Sequence, residues 1–235
     1  MCRMILAHGR FDPAAVLEAA RAMSCGETAR HEGPIREHPN GWGCLWLEEG
    51  RIRTLRGVNT FADALPGIDV GAIRTRFLAV HVRHATLSKN QGIAFSHPLQ
   101  RASGATQWYM MHNGFLPTIY AQLGLAESRF DSAEYLEYLT EQATPASFTR
   151  GWLQNKMARI APGGSAGNAI FVTQEKAWAW QWHPADTPYP AYFTMHLCRH
   201  DDSTFIASEQ IPTLGEASSW RRMRNHELHE IVFGE

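Results

Sequence analysis

The chain has only four cysteines, Cys2, Cys25, Cys44 and Cys198, and no two of them form a CxxC pair. That spacing signals neither a zinc knuckle nor a redox dithiol, and the expectation is free thiols in a reducing compartment. No stretch reaches the roughly 18 consecutive apolar residues that a membrane-crossing helix needs, and the N-terminus has no long apolar segment of the secretory kind. The expectation is therefore a cytoplasmic protein with no membrane partner. Neither sign of charge dominates, with 22 Lys plus Arg against 23 Asp plus Glu. No basic run is interleaved with aromatics, which argues against a nucleic-acid partner. Internal repeats, low-complexity tracts and linkers rich in Pro, Gly or Ser are absent as well. A single domain over residues 1–235 is the simplest organisation.

What the chain does have is apolar residues, 44% of its 235 positions, enough for a substantial core. Cys2–Ala7 reads as a strand. Asp12-Pro13 then supplies an N-cap and a first-turn proline for a helix with Val16, Ala20 and Met23 on one face. Trp42–Leu47 and Arg51–Leu55 flank Glu48-Glu49-Gly50 as a hairpin, and Asn168–Thr173 with Ala177–Trp182 repeats the pattern. Arg76–Arg83 alternates, with Leu78, Val80 and Val82 on one face and Ala79, His81 and Arg83 on the other, as expected of a strand with one buried side. Two helices follow, Ser132–Gln142 and Phe148–Ile160, and then strands at Ala191–Arg199, Thr204–Ser208 and Leu228–Val232. This order of strands, helices and strands predicts an α+β fold, a four-layer αββα sandwich of two antiparallel sheets between helical layers.

Chemistry is first suggested at Cys2, which directly follows Met1. Removal of Met1 would leave a thiol and a free α-amine on one residue. With an amine pKa of about 7.7–8.0 and a thiol pKa of about 8.5, the neutral amine is suited to take the thiol proton near neutrality. Position two alone favours an ordinary early cysteine.

Six further segments join Met1-Cys2-Arg3: His38-Pro39-Asn40-Gly41-Trp42-Gly43, Arg83-His84-Ala85-Thr86, Ser96-His97-Pro98-Leu99, His112-Asn113-Gly114, Asp131-Ser132-Ala133-Glu134 and Ser208-Glu209. In this order they resemble the class II glutamine amidotransferases, of the N-terminal-nucleophile class, and especially a stand-alone branch that opens on Cys-Arg. Trp178-Ala179-Trp180 and His196-Leu197-Cys198 are similar to that branch too, and the resemblance runs from Cys2 to about Gln210.

The resemblance implies a role for each motif. Arg83 resembles the arginine that holds the α-carboxylate of glutamine, a task suited to a guanidinium fork, and Thr86 would add a hydroxyl. Asp131 resembles the acid that pairs with the substrate ammonium, although Asp131-Ser132-Ala133-Glu134 also reads as a capping box. Asn113 and Gly114 are the candidate oxyanion hole, since thiolate attack on an amide places negative charge on oxygen that needs fixed donors about 3 Å away. The same dipeptide is also a plain turn signal. Two departures stand out, Asn40 where the family usually has Asp, and Gln210 where proline usually follows the glutamate. The first loses a charge in a scaffold segment, and the second bears on substrate preference.

The expected reaction is cleavage of the side-chain amide of glutamine or of a γ-glutamyl compound through a Cys2 thioester, with no cofactor and no metal. Relatives resembling the chain include amidohydrolases of γ-glutamyl thiol metabolites in glutathione breakdown and ergothioneine synthesis. About two dozen residues lie beyond Gln210. Either a separate partner protein accepts ammonia, or the leaving group is a larger amine. The histidines His81, His84, His97 and His112 keep a metal-dependent amidohydrolase open as an alternative, though no HExxH is present. A catalytically silent regulatory subunit with the same fold is the other.

Overall fold

A computed structural model describes residues 1–234. Its strands are β1 (Cys2–Gly9), β2 (Trp42–Glu48), β3 (Arg51–Gly57), β4 (Phe77–Arg83), β5 (Leu99–Ser103), β6 (Thr106–Phe115), β7 (Ala166–Val172), β8 (Lys176–Gln181), β9 (His196–His200), β10 (Ser203–Ala207), β11 (Trp220–Arg222) and β12 (Glu227–Val232). The α-helices are α1 (Pro13–Ser24), α2 (Phe61–Ala64), α3 (Asp131–Thr140), α4 (Arg150–Met157) and α5 (Pro190–Phe193). A seven-stranded sheet runs in the order β11-β9-β10-β1-β4-β2-β3, and a five-stranded sheet in the order β12-β8-β7-β6-β5. Every pairing in both is antiparallel.

Three apolar layers hold these sheets. Met4, Leu6 and Ala79 of the first sheet meet Met111, Ile170 and Ala179 of the second between them. On the outer face of the first sheet, Val16, Leu17 and Ala20 of α1 cover Ile5, Leu78 and Val80. On the outer face of the second, Tyr135 and Leu139 of α3 and Leu153 of α4 cover Trp108, Phe171 and Trp178. The result is the mixed α and β sandwich of two antiparallel sheets and helices expected from the element order.

Local chemistry explains the elements that were legible. Asp12 caps α1 by accepting from the Ala14 N–H, and Pro13 starts the helix. The β2–β3 turn places Glu49 at φ 49° and Gly50 at φ 71°, the two positive values that a two-residue hairpin loop requires.

Three expectations are corrected. β4 is buried on both faces rather than one, because it lies inside the first sheet between β1 and β2 and the second sheet covers its other side. The strand expected over Ala191–Arg199 begins only at His196; before it, Pro190 opens the short helix α5, whose Tyr192 and Phe193 pack on Ala166. Asp131 does not cap α3. Phe130 holds the N-cap position without a side-chain bond, and Asp131 is the first helical residue.

Candidate active site

The topology brings one end of β1, β4, β6 and α3 together. Cys2, first residue of β1, is paired with Arg83, last of β4. Asn113 and Gly114 lie near the end of β6 in the facing sheet, and Asp131 opens α3. Cys2, Arg83, Thr86, Gly114 and Asp131 line one cavity of about 30 Å³, together with Met1. Asn113 reaches the same place by a bond to Cys2. All six residues singled out in the sequence are thus neighbours, though they are spread over 130 positions of chain.

Asn113 joins the two sheets. Its Oδ1 accepts from the backbone N–H of Cys2 at 2.9 Å, while its Nδ2 is buried without a partner among the described residues. An amide donor in that position is uncommon, because a buried N–H left unpaired costs about 1–3 kcal/mol. Asn113-Gly114 is not a turn. Both residues sit within β6, opposite Asn168 and Gly167 of β7. Gly114 is required by close approach, since a Cβ there would meet the Ala166 carbonyl oxygen at 1.8 Å.

Arg83 is 4% exposed. Its Nη2 donates to the Asn90 carbonyl at 2.7 Å and its Nη1 to the Asn40 carbonyl at 3.2 Å, which fixes the fork by backbone alone. Asn40 carries out the scaffold task that the sequence left in doubt, since its Oδ1 accepts from Ala85 N–H at 3.0 Å without needing a carboxylate. Asp131 accepts from the Leu116 N–H at 2.9 Å, and burial pushes its carboxyl up to about 6 against the pull of that bond. Thr86 is exposed, and its Oγ1 accepts from the Met1 amine at 3.0 Å; the same amine donates to the His84 carbonyl at 2.6 Å.

The Cys2 thiol is 7% exposed. Burial would raise its pKa, but His81, the N-terminal ammonium and Arg83 outweigh it and bring the thiol down to about 6. A buried thiol facing cations, an unpaired amide donor, a fixed guanidinium and a carboxylate are groups that acyl transfer from an amino-acid amide could use. Among the described residues no group of three or more His, Cys, Asp or Glu is placed to hold a metal ion. No helix is long and apolar enough to cross a membrane.

Two groups escaped the sequence reading. The fully buried Arg3 donates from Nε to Glu209 at 2.6 Å, its guanidinium carbon 3.7 Å from the centre of the Tyr192 ring. Glu209 is also held by Thr28 Oγ1 at 2.5 Å and approached by His31 Nε2 at 3.4 Å. The only local sign was that Arg3 and Glu209 each lie inside a motif. His81, weighed as a possible metal ligand, instead lies on the Arg83 side of β4 and stacks on His97 with ring centres 4.2 Å apart. The alternation of Ala79, His81 and Arg83 was the available signal.

Residues 17–133 match the family model of the class-II glutamine amidotransferases. No curated protein sequence matches the chain. Among solved structures, a glutamine phosphoribosylpyrophosphate amidotransferase from B. subtilis superposes with a TM-score of 0.71 at 14% identity, over 99% of this chain and 47% of that one. The chain thus spans about half the length of that enzyme. A glutamine aminotransferase class-II domain protein from Silicibacter pomeroyi gives a TM-score of 0.59 at 15% identity, covering 99% of this chain and 95% of its own. A predicted glutamine amidotransferase from Pseudomonas aeruginosa gives 0.51 at 14%, with the same coverage. At such identities these likenesses speak for the fold. The family model of the class-II glutamine amidotransferases thus matches residues 17–133, and the likeness to these solved structures extends the shared fold over nearly the whole chain.

Proposed function

We propose that the chain is an amidohydrolase of the glutamine amidotransferase type, one domain over residues 1–235, that cleaves the γ-amide of glutamine or of a γ-glutamyl compound through Cys2. The observation that carries this reading is the position of Asn113, which holds the Cys2 nitrogen by Oδ1 and keeps Nδ2 buried and unpaired. Loss of Met1 turns that same nitrogen into an α-amine already seated on its acceptor. It also removes a residue that lines the cavity.

In the proposed reaction Arg83 takes the substrate α-carboxylate, Asp131 its ammonium, and Thr86, released from the Met1 amine, adds a hydroxyl. The Cys2 thiolate attacks the δ-amide carbon. Asn113 Nδ2 and the Gly114 N–H hold the oxyanion, which is where fixed donors accelerate acyl transfer most. The α-ammonium protonates the leaving amine, and water then hydrolyses the γ-glutamyl thioester, giving its proton to the α-amine. These steps need no cofactor. The leaving group is ammonia, passed to a partner protein in the cytoplasm, or a larger amine, as in the γ-glutamyl amidohydrolases that the Cys-Arg opening resembles.

The test is glutamate release from glutamine and a panel of γ-glutamyl amides, with acid-quenched intact mass of the protein. The expected result is a chain lacking Met1 that turns over at least one γ-glutamyl amide and carries a γ-glutamyl adduct on Cys2. Full activity from a preparation retaining Met1, or from Cys2→Ala, would sink the reading.

A further inference from the structure

Three buried imidazoles cluster near Cys2, with His97 and His112 lining its cavity and His81 stacked on His97, and their hydrogen bonds distinguish them. His112 is committed at both nitrogens, Nδ1 to Ser132 Oγ at 2.9 Å and Nε2 to the Ala166 carbonyl at 3.3 Å, and burial pushes it down to about 3. His97, buried and stacked on His81, is held well below the usual histidine range by desolvation, with His81, His112 and Arg83 adding to the effect. Both rings are therefore neutral at pH 7.

His81 differs. It lies directly across from Met4 in the β1–β4 pairing, two residues from the Arg83 that faces Cys2, so its ring shares the face of the sheet on which the thiol lies. Its Nε2 is 3.1 Å from the His112 carbonyl oxygen. A carbonyl can only accept, so in the neutral ring the proton sits on Nε2 and Nδ1 carries a lone pair. That Nδ1 is buried and has no closed hydrogen bond among the described residues. The group beside it that has a proton to give is the Cys2 thiol, on which His81 acts more strongly than any other charge. The other titratable or charged groups facing the pair are the N-terminal amine just ahead of β1, Arg83 on β4, His38 ahead of β2, His97 ahead of β5, His112 on β6 and, across the cavity, Asp131 on α3.

We propose that His81 is a second base of the site, whose Nδ1 takes the Cys2 proton so that the sulfur enters the reaction as a thiolate paired with an imidazolium. The Sγ–H bond breaks, the Nδ1–H bond forms, the electron pair stays on sulfur and the pair is neutral overall. The α-amine, the base expected from sequence, is then free for the other transfers. As ammonium it protonates the leaving amine, and as amine it takes a proton from the water that cleaves the thioester. The imidazolium keeps its proton throughout and meets the returning thiolate. This assignment rests on the reading of Cys2 as nucleophile.

The experiment is the pH dependence of Cys2 alkylation by iodoacetamide in the mature chain, compared with His81→Gln and His81→Asn. In the wild type the rate should inflect well below the ordinary thiol value of about 8.5. In the variants the inflection should rise toward the ordinary thiol value of about 8.5, slowing alkylation at pH 7 by roughly 10–30-fold. An unshifted inflection in either folded variant would overturn the proposal. Should both variants fail to fold, ring ¹⁵N NMR of the wild type and Cys2→Ser decides the matter. The His81 ring should carry protons on both nitrogens at pH 7.5 in the wild type and on Nε2 alone in Cys2→Ser, and a singly protonated ring in both overturns it. Failure of the wild type to release glutamate from any γ-glutamyl amide would count against the proposed function, whereas amide turnover with an unshifted profile would count against His81 alone.

Discussion

The backbone nitrogen of Cys2 and the side-chain oxygen of Asn113 are joined at 2.9 Å across 111 positions of sequence, and this bond ties the first strand of one sheet to the end of a strand in the other. Asn113 therefore holds Cys2 with one end of its amide and keeps the other buried and unpaired, where the proposed reaction puts the substrate carbonyl. Asn113→Ala should lower kcat by about 10²–10³ with a much smaller change in KM, because the donor matters most as charge develops on oxygen. Loss of the Oδ1 bond should cost about 1 kcal/mol of stability. Alkylation of Cys2, which forms no tetrahedral oxyanion, is the internal control and should stay near the wild-type rate. Normal turnover by the variant would remove Asn113 from the oxyanion hole.

Arg83 spends two of its donors on the Asn40 and Asn90 carbonyls. Lysine cannot hold both and still bind a carboxylate at two points. Arg83→Lys should lose about 1.5–3 kcal/mol of binding, roughly 10–150-fold in kcat/KM, for substrates with a free α-carboxylate. An analogue in which that carboxylate is amidated should be affected far less. Equal losses for both substrates would place the guanidinium away from the carboxylate.

Asp131 poses a trade between stability and binding. Its folded pKa, about 6, lies above the unfolded value of about 3.9, so its contribution is fully present below pH 4 and is lost as pH rises through 6. Asn at this position keeps an oxygen for the Leu116 N–H and carries no charge to desolvate. Asp131→Asn should thus melt higher than the ligand-free wild type, by an amount that grows between about pH 4 and 6 and is level above, on the order of 1–3 kcal/mol. Its KM for glutamine or a γ-glutamyl amide should rise steeply. A melting difference independent of pH would contradict the buried, raised carboxyl.

The Arg3–Glu209 pair should dominate the acid sensitivity of the fold. Burial tends to raise Glu209, but His31, Arg3 and Thr28 prevail and hold its carboxyl below the usual range. The stabilisation is present above the unfolded value of about 4.3 and is lost as pH falls through the lower folded value. Glu209→Gln leaves Arg3 charged, fully buried and uncompensated, which should cost about 3–5 kcal/mol at pH 7. Denaturant midpoints at pH 7 and in acid would check this, the gap between variant and wild type closing as the wild-type carboxyl protonates. A gap that persists in acid would mean that packing against Tyr192, and not charge, is what the substitution disturbs.

How far the sequence could be read depended on the range of the interactions. The α1 cap, the two hairpins and the Val16, Ala20 and Met23 face are local, and each formed as its residues indicate. The site residues were legible as an ordered set of motifs, and their meeting at one end of β1, β4 and β6 follows from antiparallel pairing. Legibility ended where a distant partner decides. The second face of β4 is covered by another sheet, Asp131 is drawn from its capping role by an N–H at Leu116, and Arg3 finds Glu209 at a separation of 206 residues. The apolar run Ala191–Met195 has strand-like composition, yet the Phe193 carbonyl is taken by the side chains of Asn168 and Gln181 instead of a neighbouring strand.

The place of β1, between β4 and β10, has a consequence in time. One neighbour begins at residue 77 and the other at residue 203, so the strand that carries Cys2 leaves the ribosome well before both of its partners and is among the last to be enclosed. At synthesis rates of about 5–20 residues per second, roughly 10–40 s separate its emergence from that of β10. During that interval the Met1 amine, later bonded to His84 and Thr86, is still open to a trimming peptidase. Once the sheet closes, the Met1 amine is seated on the His84 carbonyl and Thr86, so on the proposed reading, trimming after that point would first have to break those two bonds.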